Sequence, residues 1–162
     1  MKKTLMSFVM ALLVAGTAFA KTELTGSFAP LKELSAVKFS IEFLSIHGMP
    51  EADFAVYEQD WNKDKPEVVG LILSYAMNAN GSLALLKDAK SDYSLQCVVT
   101  NITVKGDYTC NLLLFDANGN EIASIRGIQA KGGKVGSKLN LIKDGAEHTG
   151  KKIGKALKAA TK

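Results

Sequence analysis

"YSLQCVVTNITVKGDYTCNLLLFDANGNEIASIRGIQA", residues 93–130, decides the fold of this 162-residue chain. Apolar and polar residues alternate along it, which is typical of half-buried strands. Gly106-Asp107 and Asn118-Gly119 interrupt the alternation with turn-forming residues, and Asn-Gly favours a type I′ hairpin turn. We therefore predict a three-strand meander, with strands over 93–104, 107–116 and 121–130.

The two turns also predict which side chains share a face of the meander. If each turn has two residues, one apolar face carries Leu95, Cys97, Val99, Cys110, Leu112, Leu114, Ala123, Ile125 and Gly127. The same register places Cys110 opposite Thr103, so that Cys97 lies about 20 Å away at roughly 3.3 Å per residue. A disulfide needs Cα atoms within about 7 Å. We therefore predict two separate buried thiols.

The opposite face of the meander carries a second set of apolar residues, among them Leu113 and Phe115. Either the loop 131–141 covers this face, or the face contacts a partner. Leu113 and Phe115 are therefore candidate contact residues.

Further elements flank the meander. Residues 36–46 alternate as a strand, and Asp64, Pro66 and Glu67 resemble a capping box that begins a helix ending at Gly81. Residues 141–160 form an amphipathic helical pattern, in which Gly150 and Gly154 suggest close approach to a neighbour. The predicted order is β-α-β-β-β-α. This describes an α+β fold with one antiparallel or mixed sheet of about four strands and two helices packed on one face.

The amino-terminal residues 1–20, MKKTLMSFVMALLVAGTAFA, have the three parts of a secretory signal peptide. Two lysines precede an apolar segment, and Ala18-Phe19-Ala20 fits a cleavage site. We expect a single domain over 21–162, exported to the periplasm or the cell exterior without a transmembrane segment. Its oligomeric state is left open.

Charge separates along the chain. Residues 21–130 carry 9 basic and 14 acidic side chains, a net charge of −5, whereas residues 131–162 carry 9 lysines and two carboxylates, a net charge of +7. The basic end predicts an anionic partner or, alternatively, a solvated lysine-rich helix. Export and the absence of aromatic residues between the lysines argue against nucleic acid as the partner.

Three interpretations of the basic end can be compared. Residues 145–151 match G-x-x-x-x-G-K, but Lys152 replaces the Ser or Thr that would bind Mg²⁺, and the match lies inside a helix. The preceding glycine-rich loop is a better anion cradle, or a tight connection between strand and helix. Its candidate binding residues are Lys131, Gly132, Gly133, Lys134, Gly136, Ser137 and Lys138. The third interpretation is a peripheral binder of anionic lipid or lipopolysaccharide, using Lys151, Lys152, Lys155 and Lys158.

Catalytic patterns are weak. His47 and His148 are the two histidines, and the chain shows no nucleophile elbow, zinc-ligand spacing or paired carboxylates. We predict no catalytic residues, cofactor or metal. The alternative is a small ligand-binding protein or enzyme with a site at His47, Glu51 and Asp53.

The carboxy-terminal half resembles a family of small exported proteins of unknown function from Bacteroidetes-type bacteria. The matching residues include Gly132, Gly133, Gly136, Ser137, Asn140, Leu141, Asp144 and Gly145, followed by Gly150, Gly154, Lys155 and Leu157. Residues 79–102 are loosely similar to envelope domains related to the TolB amino-terminal domain and the curli-secretion lipoprotein. The lipidated cysteine of the latter is missing. These resemblances imply a non-catalytic binding or scaffolding domain of the cell envelope, contacting an envelope protein or an anionic surface.

Overall fold

A computed structural model describes residues 21–162 of the chain. The predicted signal peptide, residues 1–20, lies outside the described residues. The strands are β1 (Glu23–Gly26), β2 (Ala36–Phe43), β3 (Ser45–Ile46), β4 (Met49–Pro50), β5 (Ala84–Leu86), β6 (Ser94–Ile102), β7 (Tyr108–Phe115) and β8 (Glu121–Ala130). The α-helices are α1 (Glu51–Tyr57), α2 (Trp61–Asn80) and α3 (Lys138–Ala160), and a 3-10 turn spans Ala29–Leu31.

The strands form one mixed sheet, in the order β1-β8-β7-β6-β2-β5, with β3 beside β6 and β4 beside β3. β6, β7 and β8 are the predicted antiparallel meander. β2 runs parallel to both β6 and β5. The α+β class is thus confirmed, and the prediction was less detailed than the structure: among residues 21–162 the sheet has eight strands where about four were predicted, and there are three α-helices where two were predicted. The elements missed are β1, α1 and three strands of two or three residues, which are too short for a periodic signal.

The two long helices pack on one face of the sheet. Their buried residues, which include Val68, Ile72, Ile153 and Leu157, join the buried strand residues in one apolar core. Most of the predicted apolar face is confirmed, because Leu95, Cys97, Val99, Cys110, Leu112, Leu114, Ala123 and Ile125 are all buried. Gly127 is the exception, since a register shift after Cys110 places Ile128 in the core instead.

The first hairpin has a longer turn than predicted. Cys110 lies opposite Val99 rather than Thr103, and Ile102 pairs with Tyr108. Thr103 N–H donates to the Asp107 carbonyl, so three residues form the loop, and the Thr103 hydroxyl accepts hydrogen bonds from the backbone N–H groups of Lys105 and Asp107. From Ser94 to Val99 the register shifts by four residues, which keeps these side chains on their predicted faces. Beyond the bulge between Val99 and Asn101 the shift is three residues, so Ile102 turns into the core. The shift nevertheless brings Cys97 and Cys110 into diagonal contact, so the predicted 20 Å separation is wrong, while both cysteines remain free, buried thiols.

The type I′ turn predicted for the second hairpin is wrong. Asp116 N–H donates to the Asn120 carbonyl, so three residues form the loop, and the Asp116 carboxylate accepts from the N–H groups of Asn118 and Asn120. A type I′ turn needs a positive φ at both central residues. Among residues 21–162, His47 is the only non-glycine residue with a positive φ, 53°, and Gly48 follows at 79°. The two-residue turn with positive φ at both positions therefore lies between β3 and β4.

Helix α2 begins at Trp61, three residues before the predicted start, so that Pro66 lies inside the helix. Burial of the Trp61 indole, fully inaccessible to solvent, outweighs the capping signal at Asp64. Asp64 and Glu67 do not form a capping box. They bind Lys143 of α3, with Nζ–O distances of 3.5 and 2.7 Å respectively. The predicted helix end at Gly81, with φ of 87°, is confirmed.

Helices α2 and α3 approach each other closely at two glycines, as the sequence predicts. A Cβ on Gly150 would lie 2.4 Å from the Ile72 carbonyl oxygen, and one on Gly154 would lie 2.3 Å from that of Ala76. Both distances are shorter than any tolerated contact, and the obstructing atoms are backbone. The helices can therefore keep this separation only while both positions lack a side chain.

We predict that Gly154→Ala destabilises the protein by about 1–3 kcal/mol, since overpacking outweighs the roughly 1 kcal/mol that alanine gains in helix propensity. Urea denaturation of residues 21–162 measures the change. The matched control is Gly70→Ala in α2, where an added Cβ meets no atom within 4 Å. This control should be neutral or stabilising. Equal destabilisation of both variants would contradict the close-packing explanation.

We predict that iodoacetamide labels neither cysteine in the native protein and both in urea. Both thiols are fully buried, and contact with Cys110 together with burial raises the pKa of Cys97 well above its ordinary value, which suppresses the reactive thiolate. Intact mass measurement counts the labels. If urea alone allowed no labelling and a reductant were also required, the thiols would be joined rather than free.

Candidate functional site

A cleft of about 620 Å³ opens between α3 and the carboxy-terminal end of β8. One wall is the end of β8 and the residue after it, Gln129 to Lys131. The other wall is one side of α3, and the turn and start of β7 complete the cleft. The remaining lining residues are Thr103, Asp107, Tyr108, Thr109, His148, Lys151, Lys152 and Lys155.

Tyr108 fixes the position of α3 beside the cleft. Its hydroxyl donates a 3.0 Å hydrogen bond to the Ile142 carbonyl, and burial raises the pKa of this phenol well above its ordinary value. A Cβ on Gly145 would lie 2.7 Å from the Tyr108 ring. Thus the first turns of α3 rest directly on the end of the meander, and the lysines of the later turns project beside β8.

The cleft is strongly basic. His148, Lys152 and Lys155 recur at helical spacing on one side of α3, and Lys151 lies next to them with its Nζ 4.6 Å from the Tyr75 ring centroid. Asp107 is the one carboxylate that lines the cleft. It is already engaged, because it accepts from the Gly132 N–H at 2.8 Å and pairs with Lys131 Nζ at 3.5 Å. Within residues 21–162, Lys152 and Lys155 have no hydrogen bond, ion pair or ring contact.

A hydrogen bond fixes the orientation of the His148 ring at the edge of the cleft. Its Nδ1 lies 2.8 Å from the Lys131 carbonyl oxygen. Since a carbonyl can only accept, Nδ1 carries the hydrogen. The contact joins α3 to the residue that follows β8, so it holds the two walls of the cleft at a defined distance.

The glycine-rich loop is mainly a tight connection. A Cβ on Gly132 would lie 2.0 Å from the Lys105 carbonyl oxygen, and one on Gly133 would lie 2.3 Å from the Asp144 carboxylate. The Gly132 N–H, which the anion-cradle interpretation needs, already binds Asp107. A second depression of about 290 Å³ beside Gly133 and Lys134 includes both Asp144 and Glu147, and these carboxylates oppose an anion.

The remaining candidate residues of this loop have structural contacts or lie apart from the cleft. Ser137 caps α3 by accepting from the Asn140 N–H at 3.2 Å, so the helix begins three residues before the predicted residue 141. Lys138 donates to the Tyr57 hydroxyl at 3.0 Å. Gly136, with φ of 133°, faces Asn140. Of the seven loop residues predicted, only Lys131 lines the large cleft.

Leu113 and Phe115 lie half-buried on the sheet face opposite the helices. The loop 131–137 does not cover them, because it packs against the Thr103–Asp107 turn and the first turns of α3. Their predicted role as contact residues stays a prediction.

Within residues 21–162, no hydrogen bond or ion pair joins His47 to Glu51 or Asp53. His47 is a turn residue whose ring packs edge-on against Phe54, with 5.0 Å between centroids. Glu51 accepts from the Trp61 indole N–H at 3.0 Å and pairs with Lys65 at 2.7 Å. Asp53 is exposed on α1. His47 and Glu51 therefore contact different residues, and their predicted role as a site stays a prediction.

The sequence identified the lysines of α3 but missed the other wall of the cleft. Thr103, Thr109 and Gln129 carry no motif, and they meet α3 only because the helix crosses the end of β8. The available signal was the spacing of His148, Lys152 and Lys155, which places all three on one side of a helix.

In the described part of the chain, no helix is long and apolar enough to cross a membrane. Within the same residues, no group of three or more His, Cys, Asp or Glu side chains could hold a metal ion.

Comparison with known proteins gives distant structural similarity. No family model and no curated protein sequence matches the chain. Similar solved structures include two of the PelC dodecamer from Paraburkholderia phytofirmans, one of a point variant in space group C2 and one in space group P6. The first has a TM-score of 0.47 at 14% identity and covers 85% of this chain and 95% of the PelC chain. The second has a TM-score of 0.46 at 12% identity, with 82% and 95% coverage. Neither similarity assigns a family, and the resemblance to Bacteroidetes-type proteins stays a prediction.

We predict that His47 titrates below 6.5. Burial lowers its pKa most, the charge of Lys138 lowers it further, and Glu58 partly opposes both. The folded state therefore disfavours the imidazolium, and the unfolded state binds more protons in this range. The resulting contribution to stability is complete above pH 6.5 and is lost as the pH falls toward the folded-state pKa.

Proton NMR of the imidazole measures the pKa, and urea denaturation at pH 7 and pH 5 measures the stability. The control is His47→Asn, because asparagine tolerates a positive φ and does not titrate. The variant should lose less stability than the parent protein between the two pH values. A His47 pKa at or above 6.5 would overturn the prediction.

Proposed function

We propose that this protein is an exported, non-catalytic binding module whose ligand is anionic and occupies the cleft between α3 and the end of β8. One observation carries the proposal: Lys152 and Lys155 line a concave site without a counter-ion, while Asp107, the carboxylate in that site, is already bound by Lys131 and Gly132. An anion there would gain attraction to several cations without displacing an existing ion pair.

The shape of the site favours an enclosed ligand over a flat membrane surface. The apolar stripe of α3 is used inside the protein, since Ile153 and Leu157 are fully buried. A helix that binds lipid by insertion needs exposed apolar residues beside its lysines. An envelope location and the lack of catalysis rest on the leader-like residues 1–20 and on the absence of a catalytic motif in the sequence.

We predict that the double variant Lys152→Gln/Lys155→Gln weakens binding of fluorescein-labelled dextran sulfate at least about fivefold at low salt. Dextran sulfate presents charge without a specific shape, so it tests the anion site alone. Fluorescence anisotropy gives the Kd, and raising the salt should weaken binding by the parent protein, because screening shortens the reach of exposed charges.

The matched control is Lys87→Gln/Lys90→Gln, which removes the same charge from two exposed lysines outside the cleft. Its Kd should stay within about twofold of the parent value. Equal weakening by both double variants would show that binding follows net charge, and the cleft would then not be the site.

A further inference from the structure

The cleft contains an incompletely paired sheet edge. β1 pairs with β8 only from Glu23 opposite Arg126 to Gly26 opposite Ala123. β8 continues to Ala130, and on its other side residues 128–130 pair with β7. Among residues 21–162, no strand pairs with the outer edge of β8 beyond Arg126, although the Lys21 backbone runs beside Gly127, so the unpaired edge is the short segment that leads to Ala130. An unpaired edge of this kind presents backbone N–H and C=O groups that can pair with an added strand.

The unpaired edge and the lysines belong to the same cleft. Gln129 and Ala130 line one wall, and Lys152 and Lys155 line the other. From His148 to Lys155 the helix rises by about 10 Å, which equals about three residues of extended chain. Alternate side chains of an added strand point the same way, so two acidic residues separated by one residue could both face α3.

A short extended segment fits this arrangement better than a small isolated anion. The Gly132 N–H, a loop donor beside the cleft, is bound to Asp107. A small anion would be too short to contact the lysines of α3 and several groups of the β8 edge at once, and it could not use the carbonyl acceptors of that edge. An acidic peptide would gain the same ionic attraction and also backbone hydrogen bonds to the edge of β8, which is the binding mode of strand addition.

We propose that an acidic peptide segment binds in the cleft as an added strand on the free edge of β8, with its carboxylates facing Lys152 and Lys155. The inference rests on the proposed anion-binding function and names the class of ligand. The partner is a protein that presents an extended stretch of alternating acidic residues.

The test uses residues 21–162 and a fluorescein-labelled peptide of nine residues in which glutamate and valine alternate. Two further peptides have the same sequence, one methylated on the backbone nitrogens of the glutamates and the other on those of the valines. Along a strand, the N–H groups of alternate residues point to the same side. If the peptide binds as a strand, methylation of one set should weaken binding about tenfold or more, and methylation of the other set should change the Kd less than about threefold.

The outcomes separate the inference from the function on which it rests. If both methylated peptides bind like the parent peptide, or if only dextran sulfate binds, strand addition is wrong and the anion site stands. If neither the peptides nor dextran sulfate bind, both are wrong. Binding to phosphatidylglycerol vesicles without peptide binding would assign the lysines to lipid headgroups and overturn the inference. The Lys152→Gln/Lys155→Gln variant should weaken peptide binding, and the Lys87→Gln/Lys90→Gln variant should not.

Discussion

The close approach of α3 to α2 at Gly150 and Gly154 is the constraint on which the other features depend. It sets the separation of the two helices above the sheet, and the ion pairs of Lys143 with Asp64 and Glu67 lie along the same contact. Since α2 occupies the part of the face near β2 and β5, α3 must lie over β7 and β8. The side of α3 that carries Lys152 and Lys155 then projects beside the end of β8. The cleft is thus a consequence of helix packing.

The sequence predicted the parts of the fold that depend on periodicity. β8 has the predicted bounds, and β6 and β7 differ from theirs by one or two residues. The turns were not predictable from composition. The first depends on the Thr103 hydroxyl and on contact of Gly106 with Leu141, a residue 35 positions away. The start of α2 depends on burial of Trp61, which outweighs a local capping pattern.

The sequence predicted only one wall of the candidate site, the lysine-rich side of α3. Charge counting located the basic segment, and helical spacing placed His148, Lys152 and Lys155 on one side of α3. The glycines of the loop predicted free N–H groups and therefore a better anion site there. In the structure those glycines pack closely against neighbouring residues, and the Gly132 N–H donates a hydrogen bond to Asp107. Tertiary contacts decide which lysines are left without an ion-pair partner. These contacts cannot be read from the sequence pattern.

The pairing of β1 with β8 joins residues about 100 positions apart, Gly26 with Ala123 for example. Whenever the chain emerges from a ribosome or a translocation channel amino-terminus first, β1 appears first and its partner strand among the last. The four residues of β1 are all exposed even in the folded protein, so they gain little by collapsing early onto other segments. We therefore expect β1 to pair with β8 late in folding and to be the first strand to separate from the folded sheet.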